Sequence, residues 1–136
     1  MKSTVTWNSG LAFTAHQGSH SIPLDASVES GGQDSGASPK ALLLSGLGGC
    51  TGIDVVSILQ KMRVAFTGLE IQVSADLTEE HPKVYKSFHL RYSFHGKDLP
   101  MHSLEKAVIL SMDRYCGVSA MLSKAAPITW EIIVEP

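Results

Sequence analysis

Segment 38–63 constrains the fold of this 136-residue chain more than any other. Serine is a good helix N-cap and proline fits the first helical position, so a helix is predicted to start at Ser38-Pro39. Ala41, Leu42, Leu43, Leu44 and Leu47 then put apolar groups on every side, the pattern of a buried helix. From Ile53 the pattern is one-sided. Ile53, Val56, Leu59 and Met62 oppose Asp54, Gln60, Lys61 and Arg63, so the helix is expected to emerge toward solvent near its end. Four glycines fall within residues 46–52. At about 1 kcal/mol each against alanine, they would cost the helix about 4 kcal/mol. Two uses offset that cost: close approach of a neighbouring helix, or room for an incoming molecule around Cys50. The most apolar part, residues 41–56, contains Asp54 and is shorter than the ~20 residues of a bilayer span, so no membrane span is expected.

The rest of the chain reads as strands and one more helix. Val5 and Trp7 alternate with Thr4 and Thr6, and Asn8-Ser9-Gly10 signals a turn. Leu11, Phe13 and Ala15 form a second run. A third, from His20 to Leu24, holds Pro23 and is expected at an edge. Residues 30–37, with three glycines, are expected to form a flexible loop. Leu69, Ile71, Val73, Ala75 and Leu77 share one strand face. Val84, Phe88, Leu90, Tyr92 and Phe94 share another, with Lys86 as the exception. A second helix after Pro100 carries a stripe of Leu104, Ala107, Val108, Ser111, Met112 and Tyr115. A short helix over residues 119–124 and a strand with Ile128, Trp130, Ile132 and Val134 follow. The order β-β-β-α-β-β-α-β predicts one α+β domain over residues 1–136, with antiparallel sheets packed on two central helices.

A net charge of −2 gives no electrostatic footprint for nucleic acid or an anionic membrane. The N-terminus lacks the apolar core of a signal peptide, so a cytoplasmic location is expected. Two cysteines are too few for a disulfide framework or a four-thiolate zinc site. The six histidines show no HExxH spacing, and no metal or cofactor is expected. Gly31-Gly32 and the helix glycines do not form a nucleotide-binding GxGxxG after a strand.

Cys50 shares a helix face with Leu43, Gly46, Leu47, Ile53 and Ser57, and with Asp54 one turn on. Apolar burial alone makes a thiol inert, and a carboxylate opposes a standing thiolate. A reactive Cys50 therefore demands a positive partner, a hydrogen-bond donor or a helix N-terminus. Arg63, Arg91, Arg114 and Lys40 are the candidates, Lys40 lying about 15 Å back along the helix. Cys116 follows Cys50 by 66 residues and ends the stripe of the second helix. Both thiols can be plain core residues, or a pair that links the two helices.

The stretch Ser38-Pro39-Lys40-Ala41-Leu42-Leu43-Leu44-Ser45-Gly46-Leu47-Gly48-Gly49-Cys50-Thr51-Gly52-Ile53-Asp54-Val55-Val56 resembles the osmotically inducible protein C / organic hydroperoxide resistance (OsmC/Ohr) superfamily, in its OsmC-like uncharacterised branch. Tyr115-Cys116-Gly117-Val118-Ser119 is similar to the second cysteine motif of that family. The resemblance implies an intertwined homodimer with sites at the subunit interface. It implies that Cys50 is a peroxidatic thiolate attacking organic hydroperoxides, that Cys116 condenses with its sulfenic acid, and that a dithiol or lipoylated protein reduces the disulfide. The family's catalytic arginine and glutamate have no counterpart: no arginine precedes Arg63, and Lys40 stands at the glutamate position. The alternative is a non-catalytic dimeric module that holds a small hydrophobic ligand or senses oxidant through Cys50.

Overall fold

The computed structural model describes all residues, Met1–Pro136. By backbone proximity the chain divides into two compact units, Met1–Leu43 and Leu44–Pro136.

In the first unit, β1 (Thr4–Ser9), β2 (Ala12–Gln17) and β3 (His20–Leu24) form an antiparallel meander in that order. Both hairpins turn in two residues, Gly10-Leu11 and Gly18-Ser19. Each puts glycine first at φ 54 or 58, where a hairpin turn of the II′ kind needs a positive angle. Val5, Trp7, Leu11 and Phe13 remain exposed. Pro23 sits on the edge strand as expected. The loop over residues 30–37, expected to be flexible, is instead folded around Asp25. That carboxylate accepts bonds from the Gln33 and Ser35 amides, the Ser35 hydroxyl and the Ala26 amide. Gly32 is required there, since a Cβ would lie 2.1 Å from the Ala26 carbonyl oxygen.

The second unit carries the larger core. β4 (Gly68–Leu77), β5 (Tyr85–His95) and β6 (Ile128–Glu135) form a sheet in that order, packed with helices. Phe88, Leu90, Tyr92 and Phe94 fill the buried face of β5. A bulge between the pairs Asp76–Ser87 and Leu77–Tyr85 leaves Lys86 as the extra residue. It turns Tyr85 rather than Val84 toward the core, which accounts for Lys86 breaking the alternation. The α+β class and the order of elements are as read from the sequence. One correction concerns strand direction: β6 runs parallel to β5, not antiparallel. Helices connect the two strands, and such a crossover returns the chain in the same direction.

Helix α1 (Pro39–Lys61) begins where the serine–proline signal placed it. It is long and apolar enough to cross a bilayer by length and composition. Within this fold, however, Leu47, Thr51, Val55 and Leu59 form one buried stripe at four-residue spacing. The expectation of all-round burial fails at Leu43, 48% exposed in the single chain, and Ile53, expected on the apolar face of the one-sided segment, is 74% exposed. The glycines divide by use. A Cβ on Gly48 or Gly52 would stand 3.1 Å from Val73 or Ile71, so these two let α1 lie close on β4, a strand rather than a helix. Gly46 and Gly49 face open space.

Helix α2 (Met101–Leu110) buries Leu104, Ala107 and Val108. It ends in a π turn, Ser111–Tyr115, closed by the Cys116 amide donating to the Ser111 carbonyl at 2.8 Å. The extra residue of this turn shifts the helical phase. Tyr115, expected in the buried stripe, is 59% exposed, and Cys116 is turned inward at 2%. Helix α3 (Gly117–Leu122) follows at once, two residues earlier than expected.

Candidate functional site

The i, i+4 spacing of Cys50 and Asp54 on α1 puts both side chains on one face, and the π turn aims Cys116 at them. The two sulfurs and an Asp54 carboxylate oxygen all lie within 4.8 Å of one another. Both cysteines are free thiols, Cys50 partly exposed and Cys116 buried. Residues distant in sequence, and acidic and thiol types together, thus form the one titratable cluster with ligand-type geometry in the structure.

A buried hydroxyl chain supports the cluster. Tyr92 Oη lies 2.8 Å from Thr51 Oγ1, which lies 2.8 Å from Ser111 Oγ. Ser111 Oγ donates to Asp54 Oδ2 at 3.0 Å. Each hydroxyl owns one proton, so the directions follow. Ser111 spends its proton on the carboxylate, Thr51 must then donate to Ser111, and Tyr92 to Thr51. The chain ends on the one acceptor-only group, so every buried oxygen is satisfied. Burial pushes the Tyr92 phenol up to about 12; the Thr51 bond opposes this, and the Cys116 and Asp54 charges add to it. Tyr92 therefore acts as a neutral donor. Trp130 packs edge-on against its ring, with centroids 6.5 Å apart.

Cys116 is held by Ser119, whose amide donates to the sulfur at 3.3 Å and whose hydroxyl donates to the Cys116 carbonyl at 2.9 Å. Burial pushes the Cys116 thiol up; the Ser119 hydrogen bonds oppose this, and the neighbouring Cys50 raises it further.

Two cavities lie along α1, and Asp54 is the one member of the cluster that lines either. One, of about 780 Å³, lies between the glycine face of α1 and β4, lined by Gly48, Gly49, Gly52, Ile71 and Val73 among others. The other, of about 590 Å³, has Asp54 in its wall together with Ile53, Ile58, Met62, Leu110 and Tyr115. Its cations are Lys61 and Lys106.

Of the cations named from the sequence, none lines this second cavity. Arg91 pairs with Glu131 at 3.1 Å on the wet face of the sheet, Arg63 follows α1 with a left-handed backbone, and Arg114 is exposed in the π turn. Lys40 lies in the first turn of α1. His89 and His95 pair with Glu131 and Glu135. Sequence reading passed over Lys61, Lys106, Ser111, Thr51 and Tyr92 as site residues. Lys61 was open to it, since it follows Asp54 by seven residues on the same helix face.

The α+β fold that carries these thiols has known relatives. The model of the OsmC-like protein family matches residues 32–131, and the chain belongs to this family. It is similar to Protein YhfA of Escherichia coli strain K12, 38% identical over 130 residues, which span 95% of this chain and 94% of that protein. A solved structure of a hypothetical protein from Aquifex aeolicus VF5 superposes with a TM-score of 0.84 at 31% identity, covering 99% of this chain and 97% of the other. The organic hydroperoxide resistance protein OhrB of Bacillus subtilis shares the fold, with a TM-score of 0.66 at 17% identity over 97% of this chain and 98% of its own.

Proposed function

We propose that this chain is a two-cysteine peroxidase that reduces organic hydroperoxides at the expense of a dithiol, in the cytoplasm. The observation that carries the reading is the convergence of Cys50, Cys116 and Asp54 within 4.8 Å. OsmC family membership and the fold shared with a hydroperoxide resistance protein are consistent with it.

In this reading Cys50, the more accessible sulfur, attacks the terminal oxygen of the hydroperoxide. The O–O bond breaks, Cys50 becomes a sulfenic acid, and the alkoxide leaves as the alcohol. Asp54 takes the Cys50 thiol proton during the attack and passes it to the alkoxide. A carboxylate opposes a standing thiolate, but the transfer leaves the site with one negative charge throughout, so no second charge accumulates. Cys116 then displaces water from the sulfenic acid to form the Cys50–Cys116 disulfide, and an external dithiol, free or on a lipoylated protein, restores both thiols. The apolar walls around Asp54 suit an alkyl or lipid hydroperoxide, whose chain gains ~25 cal/mol per Å² buried.

A homodimer belongs to the same reading. The exposed Leu43 and Ile53 on α1, the open space at Gly46 and Gly49, and the bare apolar face of β1–β3 are surfaces that a second chain would cover.

Purified protein is expected to consume cumene hydroperoxide with dithiothreitol, and Cys50→Ser to abolish this. Turnover unchanged in that variant ends the proposal. The second reading, a non-catalytic holder of apolar ligands, draws on the burial that pushes Cys116 up. It predicts co-purified apolar material and alkylation of Cys50 no faster than that of a free thiol.

A further inference from the structure

We infer that the reduced site is also a binding site for a thiophilic divalent cation of the zinc type, with Cys50, Cys116 and Asp54 as its three protein ligands. Zinc is bound by thiolate sulfur at about 2.3 Å and by carboxylate oxygen at about 2.0–2.2 Å in a tetrahedron. Those lengths place ligand sulfurs about 3.8 Å apart and sulfur and oxygen about 3.5 Å apart. All three ligand atoms here already lie within 4.8 Å of one another, so closure on an ion asks for movements of about 1 Å. Two soft sulfurs with one carboxylate favour zinc and its congeners over magnesium or calcium, which take oxygen donors.

The hydrogen bonds around the ligands are those a metal site needs to hold its donors in place. Ser111 fixes one carboxylate oxygen of Asp54 through the chain from Tyr92 and Thr51. The Ser119 amide fixes the Cys116 sulfur. Asp54 lines the cavity of about 590 Å³, which gives an ion its route in and leaves room for water or a small ligand in the fourth position. Two thiolates and a carboxylate exceed the charge of a divalent ion by one, and Lys61 and Lys106 on the same cavity wall have the sign that offsets the excess.

Metal binding would be tied to redox state. Two thiolates, one organic hydroperoxide and two protons give a disulfide, an alcohol and water. The disulfide removes two of the three ligands and releases the ion. Binding to the reduced protein does not require that the chain turn over peroxide, so the two proposals fail separately.

The test is Co²⁺ titration of the reduced, metal-free protein, followed by displacement with Zn²⁺. One Co²⁺ per protomer is expected, with sulfur-to-cobalt charge-transfer absorption and the visible bands of a tetrahedral ion, both lost on adding Zn²⁺. Cys116→Ser and Asp54→Asn should each weaken binding at least ~10-fold, and Ser111→Ala, which removes no ligand but breaks the hydroxyl chain behind Asp54, ~10-fold. Diamide oxidation should release the ion, and reduction should restore it. The absence of a charge-transfer band would overturn the site. So would equal affinity in the wild type, Asp54→Asn and Cys116→Ser with unchanged circular dichroism.

Discussion

Asp25 shows how one side chain replaces the order that a glycine-rich loop lacks. Four hydrogen bonds, led by those from the Ser35 hydroxyl and amide, hold its carboxyl at about 2, below the ordinary 3.8. A depressed carboxyl contributes stability above its unfolded value and loses it as pH falls through the folded one. The stability difference between wild type and Asp25→Asn, read by urea denaturation, should be full above pH 4 and fade toward pH 2. A pH-independent difference would contradict this. The signal for the Asp25 cradle was not legible, because its donors lie eight and ten residues away in a segment without periodicity. The same limit applies to the site. The spacing of Cys50 and Asp54 was legible from helix geometry. Thr51, Tyr92 and Ser111 meet across 41 and 60 residues, and only the packing of α1 between β5 and the π turn brings them together.

At the scale of elements, the glycines of α1 and the phase of α2 decide where the thiols sit. Gly48 sets the approach of α1 to β4, since a Cβ there would stand 3.1 Å from Val73 Cγ2. Gly48→Ala is expected to cost about 1–3 kcal/mol as overpacking, despite the better helix propensity of alanine. Val73→Ala in the same chain should recover part of the loss in a double-mutant cycle, and strict additivity would show that the contact does not matter. Helices and strands were largely legible because their apolar periods are long. The π turn was not, because a stripe at 3.6-residue spacing continues unbroken on paper through Met112 and Tyr115. Nor was the direction of β6, which depends on the crossover and not on its own alternation.

For the whole molecule, the single chain leaves much apolar surface bare, on β1, on β2 and along α1. Ile53 is the test position, being 74% exposed and lining both cavities beside α1. On the proposed homodimer, wild type should sediment as a dimer and Ile53→Lys as a monomer, since a desolvated ammonium at an apolar contact costs several kcal/mol. A variant that sediments as wild type would contradict an interface at this face of α1. Family and fold class were legible from the two cysteine motifs and the order of elements. The surroundings of the thiols were not, because the Asp54 carboxylate and the hydroxyl chain from Ser111 reach both of them only through packing of distant segments.

In the proposed function Cys50 and Cys116 act as one redox pair. This pairing is tested most directly by treating the reduced protein with one equivalent of cumene hydroperoxide and mapping its cysteines by peptide mass spectrometry. A single Cys50–Cys116 disulfide is expected, with Cys50 trapped as a sulfenic acid in Cys116→Ser. Recovery of both cysteines as alkylatable thiols, with the peroxide unconsumed, would contradict it.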